Sequence, residues 1–459
     1  MTSEEILNKI NLQKKFFAAG KTLLVKNRID ILKKLKQNII KYEDKINSAL
    51  KSDLGKSAFE SYMCETGLVL SELTYMIKHT KSFTRERRVR TPLAQFPSRS
   101  YVKPSPYGTV LIMSPWNYPF LLTIDPLVDA LAAGNTAIIK PSAYAPATGK
   151  VICELINETF PPEYVTVIMG GREENRCLLE QEFDYIFFTG SQAVGKEVML
   201  HASQKLIPVT LELGGKSPCI IDETADITLA ARRIVFGKYL NCGQTCVAPD
   251  YLYCHYSIKE KLLSAIRREI ILQQGENPLE EINYGKIINE KHFTRISNLM
   301  KDVTVFHGGK TSPKTQQIEP TILTDVTWNS PVMQEEIFGP LLPIMEFDDI
   351  NEVIHTINSK PHPLALYLFT TDKKTVKKVT ESCNYGGGCI NDTIIHLATS
   401  NMGFGGVGAS GMNSYHGLEG FNTFSHKKSI VDKKLWLDLP MRYKPYTKSN
   451  EKIMKMFLK

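Results

Sequence analysis

Cys246 stands in Asn241-Cys-Gly-Gln-Thr-Cys-Val-Ala-Pro249, between an apolar helical stretch and a β-like run. An ordinary thiol has a pKa of about 8.5, so a cysteine nucleophile needs polar donors around it. A loop holding Gly243, Gln244 and Thr245 supplies them. A cysteine in such a loop is otherwise a small packing residue. The second candidate is Glu212, a lone carboxylate in Leu211-Glu-Leu-Gly-Gly-Lys-Ser-Pro218, at the end of an apolar run and directly before two glycines. In a crevice between domains, partial burial raises a carboxylate toward the pKa of a general base; the alternative is a simple turn cap. The GGKS stretch is not a P-loop, because Thr210 takes the place of the leading glycine.

A third motif, Phe188-Thr-Gly-Ser-Gln-Ala-Val-Gly-Lys196, closes a β-like run and opens a helical one. Gly190 permits a tight turn and Ser191 caps the helix, whose N-terminus offers N–H donors and positive dipole to a pyrophosphate. Gly403-Phe-Gly-Gly-Val-Gly408 matches the dinucleotide-binding fingerprint literally, yet no strand leads in and no clear helix leads out. It reads as a glycine-rich turn.

These groups need a scaffold that brings them together. From about residue 107, β-like runs at 109–113, 136–139, 165–169, 185–188 and 208–211 alternate with helical stretches at 121–133, 144–160, 172–181 and 192–203. That alternation predicts a parallel sheet covered by helices, a Rossmann-like nucleotide-binding domain. A second alternating set follows: strands at 219–221, 251–255, 365–370 and 389–391, with helices at 227–239, 259–273 and 373–383. The expected fold class is α/β, with residues 1–85 and 108–211 forming the nucleotide-binding domain and 212–396 an α/β catalytic domain. Residues 86–107 and 397–459 are left to bridge or associate; Val89–Tyr107, with four prolines, suits an excursion better than a core element.

The chain has 459 residues, 42% hydrophobic and 23% charged, which is enough for a sizeable core and a deep cleft without disulfide or metal staples. Nine scattered cysteines argue against a disulfide framework. The polar, charged N-terminus does not resemble a signal peptide, and no run of about 18 apolar residues suggests a membrane span. The expected location is the cytoplasm. Ten Lys or Arg against three acids crowd residues 427–459. Such charge runs are usually solvated surface, with no nucleic acid implied, although peripheral contact with an anionic membrane stays open.

Taken together, Pro115-Trp-Asn-Tyr-Pro-Phe120, Lys140-Pro-Ser142, FTGSQAVGK, LELGGKSP, Gly243-Gln-Thr-Cys-Val-Ala-Pro-Asp-Tyr251 and Glu335-Glu-Ile-Phe-Gly-Pro340 resemble the aldehyde dehydrogenases in order and spacing over most of the chain. The short length, Gly386–Asp392 and Ser410–Gly417 look like the class 3 branch, whose substrates are aromatic and medium- to long-chain aliphatic aldehydes.

The resemblance implies that Cys246 attacks the aldehyde and forms a thioester, that the Asn117 amide and the Cys246 N–H hold the oxyanion, and that Glu212 activates the hydrolytic water. It implies that Lys140, Gly190, Ser191, Val194 and Gly195 contact the adenosine and pyrophosphate of NAD or NADP. Glu336 would hold the nicotinamide ribose beside Phe338, and is also the rival candidate for the base. No metal is implied, and a homodimer is expected.

Ala143 departs from the family, standing where a carboxylate often contacts the ribose, so use of both NAD and NADP is expected. Gly403 and Asn413 depart where proline and glycine are usual. Cys242 could form a reversible disulfide with Cys246, but packing is the simpler role. Three other readings are weaker: CoA-acylating dehydrogenation, because Glu212 would be superfluous; a cofactor-free thiol esterase or amidase, because of the nucleotide-binding pattern; and a dead scaffold, because every catalytic position is filled.

Overall fold

A computed structural model describes residues 1–458. The first sheet has six strands, in the spatial order 411–412, 209–213, 185–190, 109–113, 136–140 and 165–167, all parallel except the first. The chain starts in the middle of this sheet, at Thr109–Met113, runs outward to one side, then returns to the other. The direction reverses between 109–113 and 185–190, and doubly wound sheets bind ligands at the carboxyl ends of strands flanking such a reversal. Leaving those two ends are the Ser114–Phe120 loop, with Asn117, and the Gly190–Ser191 turn, ahead of the helix Gln192–Gln204.

These strands are buried on both faces, as parallel strands between helical layers must be, and Val110, Leu111, Ile112, Ile138 and Ile139 are fully enclosed. The helix Leu121–Ala133 ends where Gly134 takes a left-handed φ of 99°. The 30-residue helix Val25–Leu54 packs across this layer and ends on Gly55 in the same manner.

The second sheet has seven strands, in the order 304–307, 321–324, 341–347, 251–255, 218–221, 365–369 and 387–390, with only 304–307 antiparallel. It contains 304–307, 321–324 and 341–347, which the sequence reading did not pick out, along with the helix Ile350–Asn358. Its N-terminal ends follow the Gly214–Ser217, Gly243–Asp250 and Glu335–Pro340 loops, which meet the carboxyl ends of the first sheet.

The proline-rich excursion holds a nine-residue strand, Ser98–Pro106, between Arg87–Val89 and Ser425–Lys433 in a separate three-stranded antiparallel sheet. The short strand reaches only residues 100–102, so Pro104 and Pro106 lie where one side needs no N–H donor. Residues 397–424 do not join this arm. Gly411–Met412 adds to the first sheet beside Leu211 and Glu212, and the helix Gly417–Thr423 packs on the helix Leu121–Ala133. The Gly403–Gly408 stretch is irregular chain, with Phe404 bridging to Tyr415 and Gly408 to Gly411.

Gly411 adopts φ 148°, and a Cβ there would lie 2.3 Å from the Leu211 carbonyl oxygen. We expect Gly411→Ala to lower stability by about 1–3 kcal/mol in urea unfolding. It should also reduce turnover, because the added carbon pushes on the strand that carries Glu212.

Candidate active site

Glu212 is the penultimate residue of the strand Val209–Leu213, level with Thr189 on one side and Gly411 on the other. Alternation along the strand directs its side chain inward, where it is 3% exposed. Neither carboxylate oxygen has a hydrogen-bond partner among the described residues. Burial pushes its pKa well above the ordinary carboxylate range, so the shift is larger than partial burial would give.

Cys246 lies on the opposite wall. Ahead of it the chain takes three consecutive left-handed residues, Asn241 (φ 52°), Cys242 (φ 52°) and Gly243 (φ 73°). Glycine is required at 243, since a Cβ would lie 2.2 Å from the Gly339 carbonyl oxygen. Gln244 fixes the loop by donating from Nε2 to the Asn241 and Lys286 carbonyls, both at 3.0 Å, and accepting from Ile288 N at 3.0 Å. Burial, then the nearby Glu336 and Glu212 carboxylates, raise the Cys246 thiol to about 12, while the backbone N–H groups of Cys246 and Val247 favour the thiolate. Cys242 points elsewhere, its sulfur packed toward Tyr284 and Gly285.

The Asn117 Nδ2 donates to the Gln244 carbonyl at 3.0 Å, which joins the two walls and leaves its second N–H free. Its own carbonyl accepts from Lys56 Nζ at 3.0 Å and Asn241 Nδ2 at 2.8 Å. Lys56 is in turn paired with Glu65 at 2.5 Å, both side chains almost wholly buried. The other Glu65 oxygen accepts from Phe120 N at 2.8 Å and Leu121 N at 3.2 Å. Glu65 points inward because Tyr62–Thr66 forms a π-turn between two α-helical stretches. Neither Lys56 nor Glu65 carries a recognisable signal in the sequence.

Glu336 packs on the glycine pair: a Cβ on Gly214 would lie 2.1 Å from its Oε2. Its Oε1 is shielded and unpartnered, and burial followed by the charge of Asp250 raises its pKa to about 8. Lys216, the lysine of GGKS, donates to Asp250, to the Val332 carbonyl at 3.0 Å and to the Glu335 carbonyl at 2.8 Å. Arg295 donates to the Ile337 carbonyl at 2.7 Å. Those two cations fix the Glu335–Pro340 loop, in which Phe338 is left-handed (φ 48°) and meets Trp116 edge-on at 5.3 Å.

At the other end of the cleft, Lys140 Nζ donates to the Pro141 carbonyl at 2.9 Å and the Gly170 carbonyl at 2.7 Å, and burial lowers its pKa to about 8. One of its three N–H bonds stays available. Ser191 caps the helix Gln192–Gln204 by accepting from Val194 N at 3.5 Å. Gly190 does not use a left-handed φ; a side chain there would meet the Phe188 ring at 2.6 Å. Gly195 allows the helix to sit on Leu213, 2.8 Å from where its Cβ would be. The free Lys140 N–H, the open helix N-terminus and the orphan Glu336 oxygen suit a dinucleotide with its phosphates at the helix and a ribose hydroxyl at Glu336.

Cys246 also opens onto a cavity of about 260 Å³, walled mainly by apolar side chains such as Met63, Leu68, Leu121, Phe236, Ile394 and Phe404. No helix among the described residues is long and apolar enough to cross a membrane.

Residues 1–430 match the model of the aldehyde dehydrogenase family. The 4,4'-diaponeurosporen-aldehyde dehydrogenase of Staphylococcus aureus is 47% identical over 448 residues, covering 97% of each chain. Aldehyde dehydrogenase family 3 member A2 of Rattus norvegicus is 43% identical, covering 96% of this chain and 92% of its own. A solved structure described as the substrate-bound state of Staphylococcus aureus AldH superposes with a TM-score of 0.97 over 99% of both chains, at 47% identity.

Lys56→Met should destabilise the protein by about 3–5 kcal/mol, because it leaves the Glu65 carboxylate buried without its cation. Denaturant unfolding checks this, and a loss below about 1 kcal/mol would show that the pair behaves like a surface salt bridge.

Proposed function

Because the chain belongs to the aldehyde dehydrogenase family, we propose that it oxidises medium- to long-chain aliphatic or aromatic aldehydes to acids with Cys246 as nucleophile and Glu212 as the deacylating base. The observation that carries this reading is a donor-lined thiol on the wall of an apolar cavity, with the Asn117 amide bonded to the same loop and the unpartnered, buried Glu212 carboxylate near enough to raise the thiol's pKa.

The Cys246 sulfur, having lost its proton, adds to the aldehyde carbon while the carbonyl π electrons move to oxygen. The free Asn117 N–H and the Cys246 backbone N–H hold the resulting oxyanion. NAD or NADP, when bound, would supply the hydride acceptor for converting this adduct into the Cys246 thioester. Glu212 then takes a proton from water as the water oxygen attacks the thioester carbon. The second oxyanion collapses, the C–S bond breaks, and the acid leaves with the sulfur as a thiolate. Lys140, Ser191, Gly195, Glu336 and Phe338 would hold the cofactor along the cleft.

The apolar cavity supports long or aromatic substrates, since an aldehyde with a hydrocarbon body buries surface worth about 25 cal/mol per Å². Ala143 is exposed beside Lys140, and with no carboxylate there we propose that both cofactors are used. Ser425–Lys433 and Gly387–Ile390 are edge strands with open hydrogen-bonding sides. Such edges favour pairing with another chain, which supports a homodimer.

Cys246→Ala should abolish acid formation. Glu212→Gln should keep a burst of reduced cofactor of about one per active site while steady-state turnover falls at least about 100-fold; normal turnover would transfer the base role, Glu336 being next. The base acts only when ionised, and burial raises its pKa, so kcat should climb with pH at values above the ordinary carboxylate range and lose that limb in Glu212→Gln.

Ala143→Glu should weaken use of NADP relative to NAD by about tenfold, as a carboxylate repels the 2′-phosphate. Steady-state kinetics with both cofactors measures this, and a wild-type preference for NAD above about a hundredfold would rule out dual use.

A further inference from the structure

The cavity wall contains polar groups that the proposed reaction does not use. Asp125 and Asp129 lie one turn apart in the otherwise apolar helix Leu121–Ala133, and Glu72 faces them from the helix Gly67–Phe83. Between them sits His416, whose backbone takes a left-handed φ of 80° that a histidine adopts only when its surroundings impose it. The surroundings are on view. Asp129 Oδ2 accepts from His416 N at 3.4 Å, and Glu72 Oε1 accepts from Gly417 N at 2.7 Å. Gly417 is itself left-handed, and a Cβ on it would lie 1.9 Å from the Ser400 carbonyl oxygen.

The strained turn delivers the imidazole to one place. His416 stacks on Tyr415 at 4.1 Å, and its Nδ1 lies 3.2 Å from Asp125 Oδ2. His416 is 7% exposed and lines the same cavity as Cys246, yet its Nε2 has no hydrogen-bond partner among the described residues. Nδ1 faces Asp125, which leaves Nε2 as the ring nitrogen turned to the cavity, an acceptor in the neutral tautomer that carries its proton on Nδ1. The cluster does not form a metal site among the described residues.

We propose that His416 Nε2 is a second recognition point, selecting aldehydes whose hydrocarbon body carries a hydroxyl group remote from the carbonyl. A plain hydrocarbon body leaves this buried acceptor unpaired, whereas a hydroxyl donates to it, and sites built to pair a substrate hydroxyl discriminate strongly against analogues lacking it. Among the described residues no Lys or Arg lines this cavity, so a carboxylate buried at that position would lack a counter-ion and is disfavoured.

The inference rests on the proposed aldehyde oxidation, and its test separates the two. Three length-matched series are compared for kcat/KM with the full-length enzyme: n-alkanals, hydroxyalkanals with the hydroxyl moved along the chain, and aldehydes ending in carboxylate. At one hydroxyl position the hydroxyalkanal should exceed the alkanal by about tenfold, with the carboxylate below both. In His416→Phe, which keeps the ring stacked on Tyr415, the hydroxyl-to-alkanal ratio should fall to about one, and His416→Gln should restore part of it. Oxidation of n-alkanals with no hydroxyl preference at any position in the wild type overturns the proposal even if the variants do not fold. Failure to oxidise any aldehyde overturns the reaction itself.

Discussion

The buried ion pair between Lys56 and Glu65 is the contact on which the geometry of the cleft depends. Burying two charges costs several kcal/mol each, so such a pair survives only where every remaining polar valence is met. Here they are met by the active-site loop itself. Lys56 donates to the Asn117 carbonyl and lies 4.0 Å from the Tyr118 ring centroid, and Glu65 accepts from Phe120 and Leu121 N–H groups. The pair therefore ties Pro115–Leu121 to the N-terminal helices, and it holds the Asn117 amide against Gln244 of the facing wall. Replacing both residues by apolar ones could preserve the packing, but the loop would lose its register.

Strain concentrates around the same cleft. Asn241, Cys242, Phe338 and His416 all take left-handed backbone conformations that cost non-glycine residues about 1–3 kcal/mol each. Three of them are held by a specific restraint. Asn241 N donates to Glu60 Oε1 at 2.8 Å, Phe338 lies in the loop fastened by Lys216 and Arg295, and His416 N is held by Asp129. The loops that carry the reactive groups are thus over-determined rather than relaxed, and small side-chain movements there are resisted by buried hydrogen bonds from three directions.

Much of this arrangement was legible in the sequence where periodicity or motif chemistry was strong. The strands 109–113 and 251–255 and the helices 121–133 and 227–239 lie where their apolar patterns put them. The strands 321–324 and 341–347 escaped notice because one is only four residues long and the other contains Pro343 within an edge-to-centre run that lacks clean alternation. Ser98–Pro106 was obscured by prolines that are harmless only because of a neighbour distant in sequence. Glu336 came only through the family resemblance, whereas Cys246 and Glu212 stood out through their glycine-containing surroundings. Lys56 and Glu65 did not, since their partners are backbone groups that no spacing reveals. Asp125 and Asp129 did carry a signal: two carboxylates four residues apart in a helix whose other residues are nearly all apolar have no solvent-facing explanation.

The resting charge of the cleft follows from this crowding. Cys246, Glu212 and Glu336 each have a raised pKa, and each carboxylate raises the thiol further. Like charges held in one poorly solvated cleft repel, so ionising either carboxyl makes the Cys246 thiolate harder to form. A thiolate on Cys246 is favoured when both carboxyls are neutral. Burial alone keeps the Glu212 carboxyl in its neutral form, so water admitted beside it, which relieves that burial, is what would let it ionise and serve as the proposed base.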